Sequence, residues 1–347
     1  MKLISLLLAI FCLPFTLQAQ DNYPTPVLVS VEKIWDKAAH NAFTDLIRYK
    51  GRWYCTFREG ETHVSHHGVL KVIASDDGAQ WEQVASIDSS RNWDMREAKF
   101  SMMPDGQLIL TGTEANRKTT PTQHQSLVWF TSDGKNWTDA ERVADPDYWL
   151  WRGAWHKGRG YYFGYKTGGG PRAIRLYSTS DGRKFDTVAD NAFPTAEKGY
   201  PNETSVAFRE DGTCYCMLRR DGGTDLNSAQ LGTSKPPYQD WQWKDLGVRV
   251  GGPNMLQLPD GNWVAVVRRY GDGKMQTKDW YTAVHWLDPE EGTLTEVLKL
   301  PFAGDSGYTG MVWHEGLLWV SNYSSHEEGT NVYLAKIKFE GMADSEE

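Results

Sequence analysis

The sequence predicts an all-β fold, a six-bladed β-propeller with four-stranded antiparallel blades. Three observations carry this. A glycine turn followed by a β-rich run recurs six times, at intervals of 49 to 55 residues. A second turn motif, Ser/Thr-x-Asp-Gly-x-x-Trp/Phe, rides on the same period in three units. No stretch carries apolar residues at helical spacing. A repeat of this length, with room for four short strands, is the signature of a propeller blade.

The hairpins fix the units. Lys50-Gly51 precedes Arg-Trp-Tyr-Cys-Thr-Phe, and Asp105-Gly106 precedes Gln-Leu-Ile-Leu. Lys157-Gly158 and Asp211-Gly212 open the third and fourth β-rich runs, and Asp260-Gly261 and Glu315-Gly316 the last two. Such residue pairs suit two-residue hairpin turns, where glycine supplies the positive φ. Strand 1 of each unit precedes its glycine and strand 2 follows it. Strands 3 and 4 then flank the second motif, seen at 75–81, 131–137 and 179–185, with a degenerate copy running from Thr233 to Trp241. In that turn the Asp accepts backbone hydrogen bonds while the aromatic tucks beneath. Val27 to Ile34 precedes the first unit. It is placed as the outer strand of the last blade, beside Val332 to Phe339, so that the ring closes and no sheet edge is left bare. The propeller then spans 21–340, and 341–347 is an acidic tail.

Composition agrees with this architecture. Of 347 residues, 40% are hydrophobic and 13% aromatic, with 33 glycines and 16 tryptophans, as packed sheets with tight turns require. Lys+Arg 37 against Asp+Glu 45 gives −8, and loss of a leader whose only charge is Lys2 gives −9. An acidic chain without a basic run is not built to neutralise phosphates, which argues against nucleic acid as a partner. No internal apolar run is long enough to cross a bilayer. Residues 1–20 read as a cleaved signal peptide: Lys2, an apolar stretch to Leu17, then Leu-Gln-Ala. The mature protein is therefore expected in the periplasm or outside the cell, as a monomer. Cys55, Cys214 and Cys216 form no disulfide framework and are read as buried, unpaired strand residues.

Register gathers the chemistry. Strand 1 begins and strand 2 ends on the same face of a propeller, so equal distances from the hairpin glycine converge on one mouth. Seven and eight residues after the glycines stand Arg58/Glu59, Thr113/Glu114, Tyr165/Lys166, Arg219/Arg220, Arg268/Arg269 and Tyr323/Ser324. Six to ten before them stand Asp45, Arg96/Glu97, Arg152, Glu203, Asn254 and Tyr308. Arginines in a concave mouth suit a carboxylate, which the guanidinium fork binds bidentately. Tyr308 opens the sixth unit in Asp-Ser-Gly-Tyr-Thr-Gly, and Glu203 opens the fourth in Tyr-Pro-Asn-Glu-Thr. If both reach the axis, Glu203 can accept the phenolic proton and make Tyr308 a nucleophile. His63, His66 and His67 follow strand 2 of the first unit on a loop over the mouth. A general-acid role for His63 or His66 is favoured there, with metal ligation the weaker alternative.

With these residues in hand, the chain resembles the sialidase (neuraminidase) superfamily, six-bladed propellers with Asp-box (BNR) repeats. The resemblance spans nearly the whole mature chain. Its specific part is the ordered set Glu203, Arg219/Arg220, Arg268/Arg269 and Tyr308. In sialidases that order carries the Glu of a Tyr/Glu nucleophile pair, two arginines of a carboxylate-binding triad, and the Tyr nucleophile. A neutral Tyr suits an anomeric carbon that bears a carboxylate. Two positions depart from the pattern. Thr44 stands where the first-strand Arg falls, leaving Arg58 or Arg96 to replace it. The loop before the first Asp box lacks the acid/base Asp, leaving His63, His66, Glu59 or Glu61.

The resemblance implies a divergent, secreted, exo-acting glycoside hydrolase that removes a terminal acidic sugar with retention, through Tyr308 and Glu203. A glycan bearing a carboxylate is the expected partner, with no cofactor and no metal. Two other functions fit the sequence: a glycan-binding propeller without catalysis, and a metal-assisted enzyme built on the histidine loop.

Overall fold

The computed structural model describes residues 23–195, 199–222, 226–271 and 279–342. The leader at 1–20 and residues 343–347 of the tail lie outside the described residues. All regular structure among the described residues is strand, gathered into six antiparallel sheets. No helix there is long and apolar enough to cross a membrane.

Each sheet is one blade, and the predicted units map onto them. Blade 1 runs outward through His40–Tyr49, Arg52–Gly60, Val69–Ser75 and Glu82–Ile87. Blade 2 comprises Asp94–Met102, Leu108–Asn116, Gln123–Thr131 and Glu141–Val143, and blade 3 Tyr148–His156, Arg159–Lys166, Ile174–Thr179 and Asp186–Ala189. Blade 4 holds Tyr200–Phe208, Cys214–Asp221, Gln230–Ser234 and Gln242–Asp245. In blade 5 the inner strand is split into Val250–Gly251 and Met255–Gln257, followed by Trp263–Tyr270, Trp280–Asp288 and Thr293–Ala303. Blade 6 joins Gly307–His314, Leu317–Ser324 and Asn331–Glu340 to Thr25–Trp35 from the other end of the chain. That last pairing is the closure expected from Val27 to Ile34.

A feature that periodicity does not reveal repeats in every blade. The inner strand carries one extra residue, a β-bulge, at equivalent points. Phe43-Thr44 oppose Phe57, Glu97-Ala98 oppose Gly112, and Trp151-Arg152 oppose Phe163. Asn202-Glu203 oppose Arg219, and Tyr308-Thr309 oppose Asn322. In blade 5 the three residues 252–254 oppose Val266 and Val267. A bulge leaves its extra residue out of the ladder and re-aims its side chain.

The Asp-Gly turns also follow the sequence reading. Asp77 Oδ1 accepts from the backbone N–H of Ala79 and Gln80, at 2.8 and 3.0 Å, and Asp133 and Asp181 repeat the pattern. The turn glycines have positive φ and meet the neighbouring blade: Gly78 faces the Trp319 ring, and Gly134 faces Tyr54. A Cβ at either position would strike that ring, so glycine here serves conformation and blade packing together. Aromatic pairs fill the wedges between blades, as where Trp53 stacks on Trp319 at 4.2 Å to join blades 1 and 6. Cys55, Cys214 and Cys216 are buried and free.

Candidate active site

Four of the six bulges begin with a residue at positive φ: Phe43 (66°), Glu97 (52°), Gly252 (57°) and Tyr308 (55°). Three of these are bulky side chains in the left-handed region, a conformation that costs on the order of 1–3 kcal/mol and persists where surrounding structure enforces it. Here the enforcement comes from side chains beneath. Thr44 Oγ1 donates to the Tyr308 carbonyl at 2.8 Å. Arg152 Nη2 and Asn254 Nδ2 both donate to the Thr309 carbonyl, at 2.9 and 2.8 Å. Asp45 accepts from Arg152 Nη1 at 2.5 Å and from the Phe100 amide at 2.8 Å. Lys99 Nζ donates to the Thr44 carbonyl at 3.0 Å. Burial, then Arg152, push the Lys99 pKa down to about 8. This layer ties five blades together at the axis and floors the site.

Above it opens a pocket of about 340 Å³. Its walls include Arg96, Glu97, Trp149, Tyr165, Tyr200, Glu203, Arg219, Arg268, Trp280 and Tyr308, with His63 and Val64 at the rim. Glu203 and Tyr308, 105 residues apart, meet there: Tyr308 Oη donates to Glu203 Oε1 at 2.5 Å. Arg219 Nη1 donates to the same carboxylate oxygen at 2.6 Å and to the phenol oxygen at 2.9 Å. The Gly252 amide holds Glu203 Oε2 at 2.7 Å. Burial first, and then the Glu203 charge, push the Tyr308 phenol well above its ordinary pKa, while Arg219 and Arg268 pull the other way. The resting Tyr308 is therefore a neutral phenol, hydrogen-bonded to Glu203.

Arg96 Nη2 donates to Glu97 Oε1 at 2.9 Å. Burial works against the Arg96 charge, but Glu97 and Asp94 outweigh it and keep this side chain cationic. Burial and the Glu203 charge raise the Glu97 pKa against the pull of Arg96. Arg268 bonds to Asp305 Oδ1 at 2.9 Å and to the Ser306 carbonyl. Arg96, Arg219 and Arg268, from blades 2, 4 and 5, thus line one small cavity together with a fourth arginine, Arg117, whose Nε lies 3.4 Å from Asp94 Oδ2.

At the rim, His63 Nδ1 lies 2.6 Å from Asp305 Oδ2, and His40 Nε2 lies 3.0 Å from the same oxygen. These three ligating atoms fall within 4.8 Å of one another, the spacing a metal ion would need. The surroundings fit protons better than a cation. Arg268 and Tyr323 already bind the other carboxylate oxygen. The buried Nδ1 of His40 has no hydrogen-bond partner. That suits a bare lone pair, whereas a metal-bound imidazole carries N–H there and normally satisfies it.

The structure sorts the predicted residues. Tyr308, Glu203, Arg96, Glu97, Arg219, Arg268 and His63 line the pocket. Arg58 does not: it is fully buried against Asp94, with Nε and Nη2 at 2.9 and 2.7 Å from Oδ1. Glu59 turns outward to Trp35 Nε1 and Lys71. Asp45 and Asn254 belong to the floor, one layer too deep. Arg220 and Arg269 point to the opposite face of their strands, toward Asp245 and His285, since neighbouring strand residues alternate. His66 is exposed on its loop and does not line the pocket. Asp305, His40, Trp149, Tyr200 and Trp280 were not singled out as site residues. Asp305 had a signal, its place in the Asp-Ser-Gly-Tyr run; the aromatics could not be told from core. A larger groove of about 700 Å³ lies between blades 1 and 2. Its buried carboxylate, Glu114, already bonds Ser89 and pairs with Arg91 and Arg142.

No family model and no curated protein sequence matches the chain. Solved structures do. A protein of unknown function from Dyadobacter fermentans is 19% identical with a TM-score of 0.76, covering 91% of this chain and 100% of its own. The GH93 α-L-arabinofuranosidase of Fusarium graminearum, in complex with arabinobiose, is 14% identical with a TM-score of 0.71, over 90% of this chain and 98% of its own. Trypanosoma rangeli sialidase with the inhibitor DANA is 14% identical with a TM-score of 0.67, over 90% of this chain and 60% of the longer sialidase. At these identities the likeness establishes the fold: a divergent six-bladed propeller whose structural neighbours include glycoside hydrolases.

Proposed function

We propose that this protein is a secreted or periplasmic exo-acting glycoside hydrolase that removes a terminal, carboxylate-bearing sugar with retention of configuration. The observation that carries this reading is the Tyr308–Glu203 contact of 2.5 Å, bridged by Arg219, in a pocket that Arg96, Arg117 and Arg268 also line. The substrate carboxylate lies against Arg96, Arg219 and Arg268. Near that charge a carboxylate nucleophile would be repelled, whereas a neutral phenol is not. As Tyr308 Oη attacks the anomeric carbon, its proton passes to Glu203. His63 protonates the departing oxygen, with Asp305 fixing its ring through Nδ1. Water then reverses the sequence, giving its proton to His63 while Glu203 returns one to the phenolate. The pocket is at the small end of ligand cavities, which supports removal of one terminal residue at a time. Trp149, Tyr200 and Trp280 supply apolar faces for a sugar ring.

The test is a screen of aryl glycosides and glycans ending in sialic, uronic or related acidic sugars. Product stereochemistry is read by proton NMR, and Tyr308→Phe and Glu203→Gln are run beside the wild type. Turnover with retention, abolished in both variants, is the expected result. Full activity in Tyr308→Phe, or a product with a new carbon–carbon double bond, would exclude the mechanism. Affinity without turnover would select the glycan-binding alternative.

A further inference from the structure

Arg96 and Arg268 reach beyond the pocket they line. Arg96 Nη1 donates to the backbone carbonyl of His63 at 2.9 Å. Arg268 Nη2 donates to Asp305 Oδ1 at 2.9 Å, and the other oxygen of that carboxylate faces His63 Nδ1 at 2.6 Å. Both cations are therefore in direct contact with the unit that holds the rim imidazole. The other groups packed on that imidazole are the His40 ring, 5.8 Å away and sharing Asp305, and the uncharged edge of Phe43 at 5.1 Å.

We propose that the carboxylate of a bound sugar, by pairing with Arg96 and Arg268, causes His63 to take up a proton, so that the substrate charges its own acid catalyst. This deepens the glycosidase reading and rests on it. In the free protein His63 is held below the ordinary imidazole pKa, by burial first and also by Arg96 and Arg268, with Asp305 opposing. With Nδ1–H directed at Asp305, Nε2 is bare, and the resting imidazole is a base. An anion on the two guanidiniums cancels their repulsion and leaves the attraction of Asp305, so protonation at Nε2 becomes favourable.

The proton ledger closes. One proton enters from solvent when substrate binds. Nε2 delivers it to the glycosidic oxygen as the bond from that oxygen to the anomeric carbon breaks and the bond to Tyr308 Oη forms. In the second half, water gives a proton to Nε2 as the bond to Tyr308 Oη breaks. When the acidic product leaves, the arginines are uncovered and His63 releases its proton.

The experiment is an NMR titration of the His63 ring in the full mature chain, assigned with His63→Gln. Arg96→Met and Arg268→Met each remove one cation, so the His63 midpoint in ligand-free protein moves upward in both; Asp305→Asn moves it downward. In wild type, D-glucuronate as probe raises the midpoint and D-glucose does not. Glucuronate affinity then falls about tenfold per pH unit between the free and bound midpoints, the slope for one coupled proton. An unchanged midpoint in whichever arginine variants fold, or glucuronate affinity that is flat with pH, overturns the proposal. The variant arm needs no ligand, so it is decided separately from the screen that tests the glycosidase reading.

Discussion

Arg58→Leu tests how a single guanidinium is used. Arg58 stands at the same distance from its hairpin glycine as Arg219 and Arg268, yet it is sealed against Asp94, with neither side chain exposed. Its Nη1 also holds the Thr62 carbonyl at 3.0 Å, at the base of the histidine loop. Removing one partner of a buried ion pair costs about 3–5 kcal/mol, because the other charge is left uncompensated. Asp94 Oδ2 keeps Arg96 at 3.5 Å and Arg117 at 3.4 Å. The cost is therefore expected at the low end, about 3 kcal/mol. Guanidinium unfolding reads it as a lower midpoint at constant slope. In protein that remains folded, KM for an acidic substrate stays at the wild-type value. Arg96→Met, by contrast, loses a charge-assisted contact worth about 1.5–3 kcal/mol and raises KM at least tenfold. A wild-type midpoint for Arg58→Leu would refute the buried-pair account. A KM rise equal to that of Arg96→Met would place Arg58 with the substrate after all.

Further outcomes follow from the same geometry. Gly310→Ala puts a Cβ 2.6 Å from the Asp45 carbonyl carbon in the next blade. Backbone cannot yield as a side chain does, so a loss of about 1–3 kcal/mol or more is expected in denaturant unfolding; a variant of wild-type stability would show that the blades are not in close contact there. His285 is fully buried, and burial, then Arg269, push its pKa down from 6.5 to about 3. Between those values the unfolded chain binds the proton and the folded chain refuses it, so stability falls as pH drops from 6.5 toward 3. His285→Gln should flatten that slope, and an unaltered slope would assign it to other groups. Exhaustive dialysis against a chelator should leave turnover unchanged. Loss of activity restored by added zinc would instead assign His40, His63 and Asp305 to an ion.

The fold was legible because its signal is periodic: six hairpin glycines gave six blades, and one unpaired β-rich segment at the start gave the closing strand. The site was legible in part. Residues seven after the glycine, Tyr165, Arg219 and Arg268, line the pocket, whereas Arg220 and Arg269 at eight do not, as strand alternation requires. On the inner strand, Arg96, Glu97, Glu203 and Tyr308 lie eight to ten before the glycine and reach the pocket. Arg152 and Asn254, six and seven before it, are the last residues of their bulges, Asp45 is the first residue past its own, and these three form the floor. Nothing in the sequence marks the bulges, because three of the four positive-φ positions that open them hold Phe, Glu and Tyr rather than glycine. Arg58 eluded a register argument for another reason: its partner, Asp94, comes from the adjoining blade, and contacts between blades have no fixed sequence spacing.

The extra residue on each inner strand also separates two tasks that most folds must reconcile. The backbone ladder hydrogen bonds within each blade run above and below that residue, and none of them depends on what side chain it carries. Six seats around one hub can therefore be refilled independently: an aromatic here, a carboxylate there, a phenol opposite. Shape would survive such exchanges while sequence drifted, which is the relation this chain bears to neighbours with which it shares fewer than one residue in five.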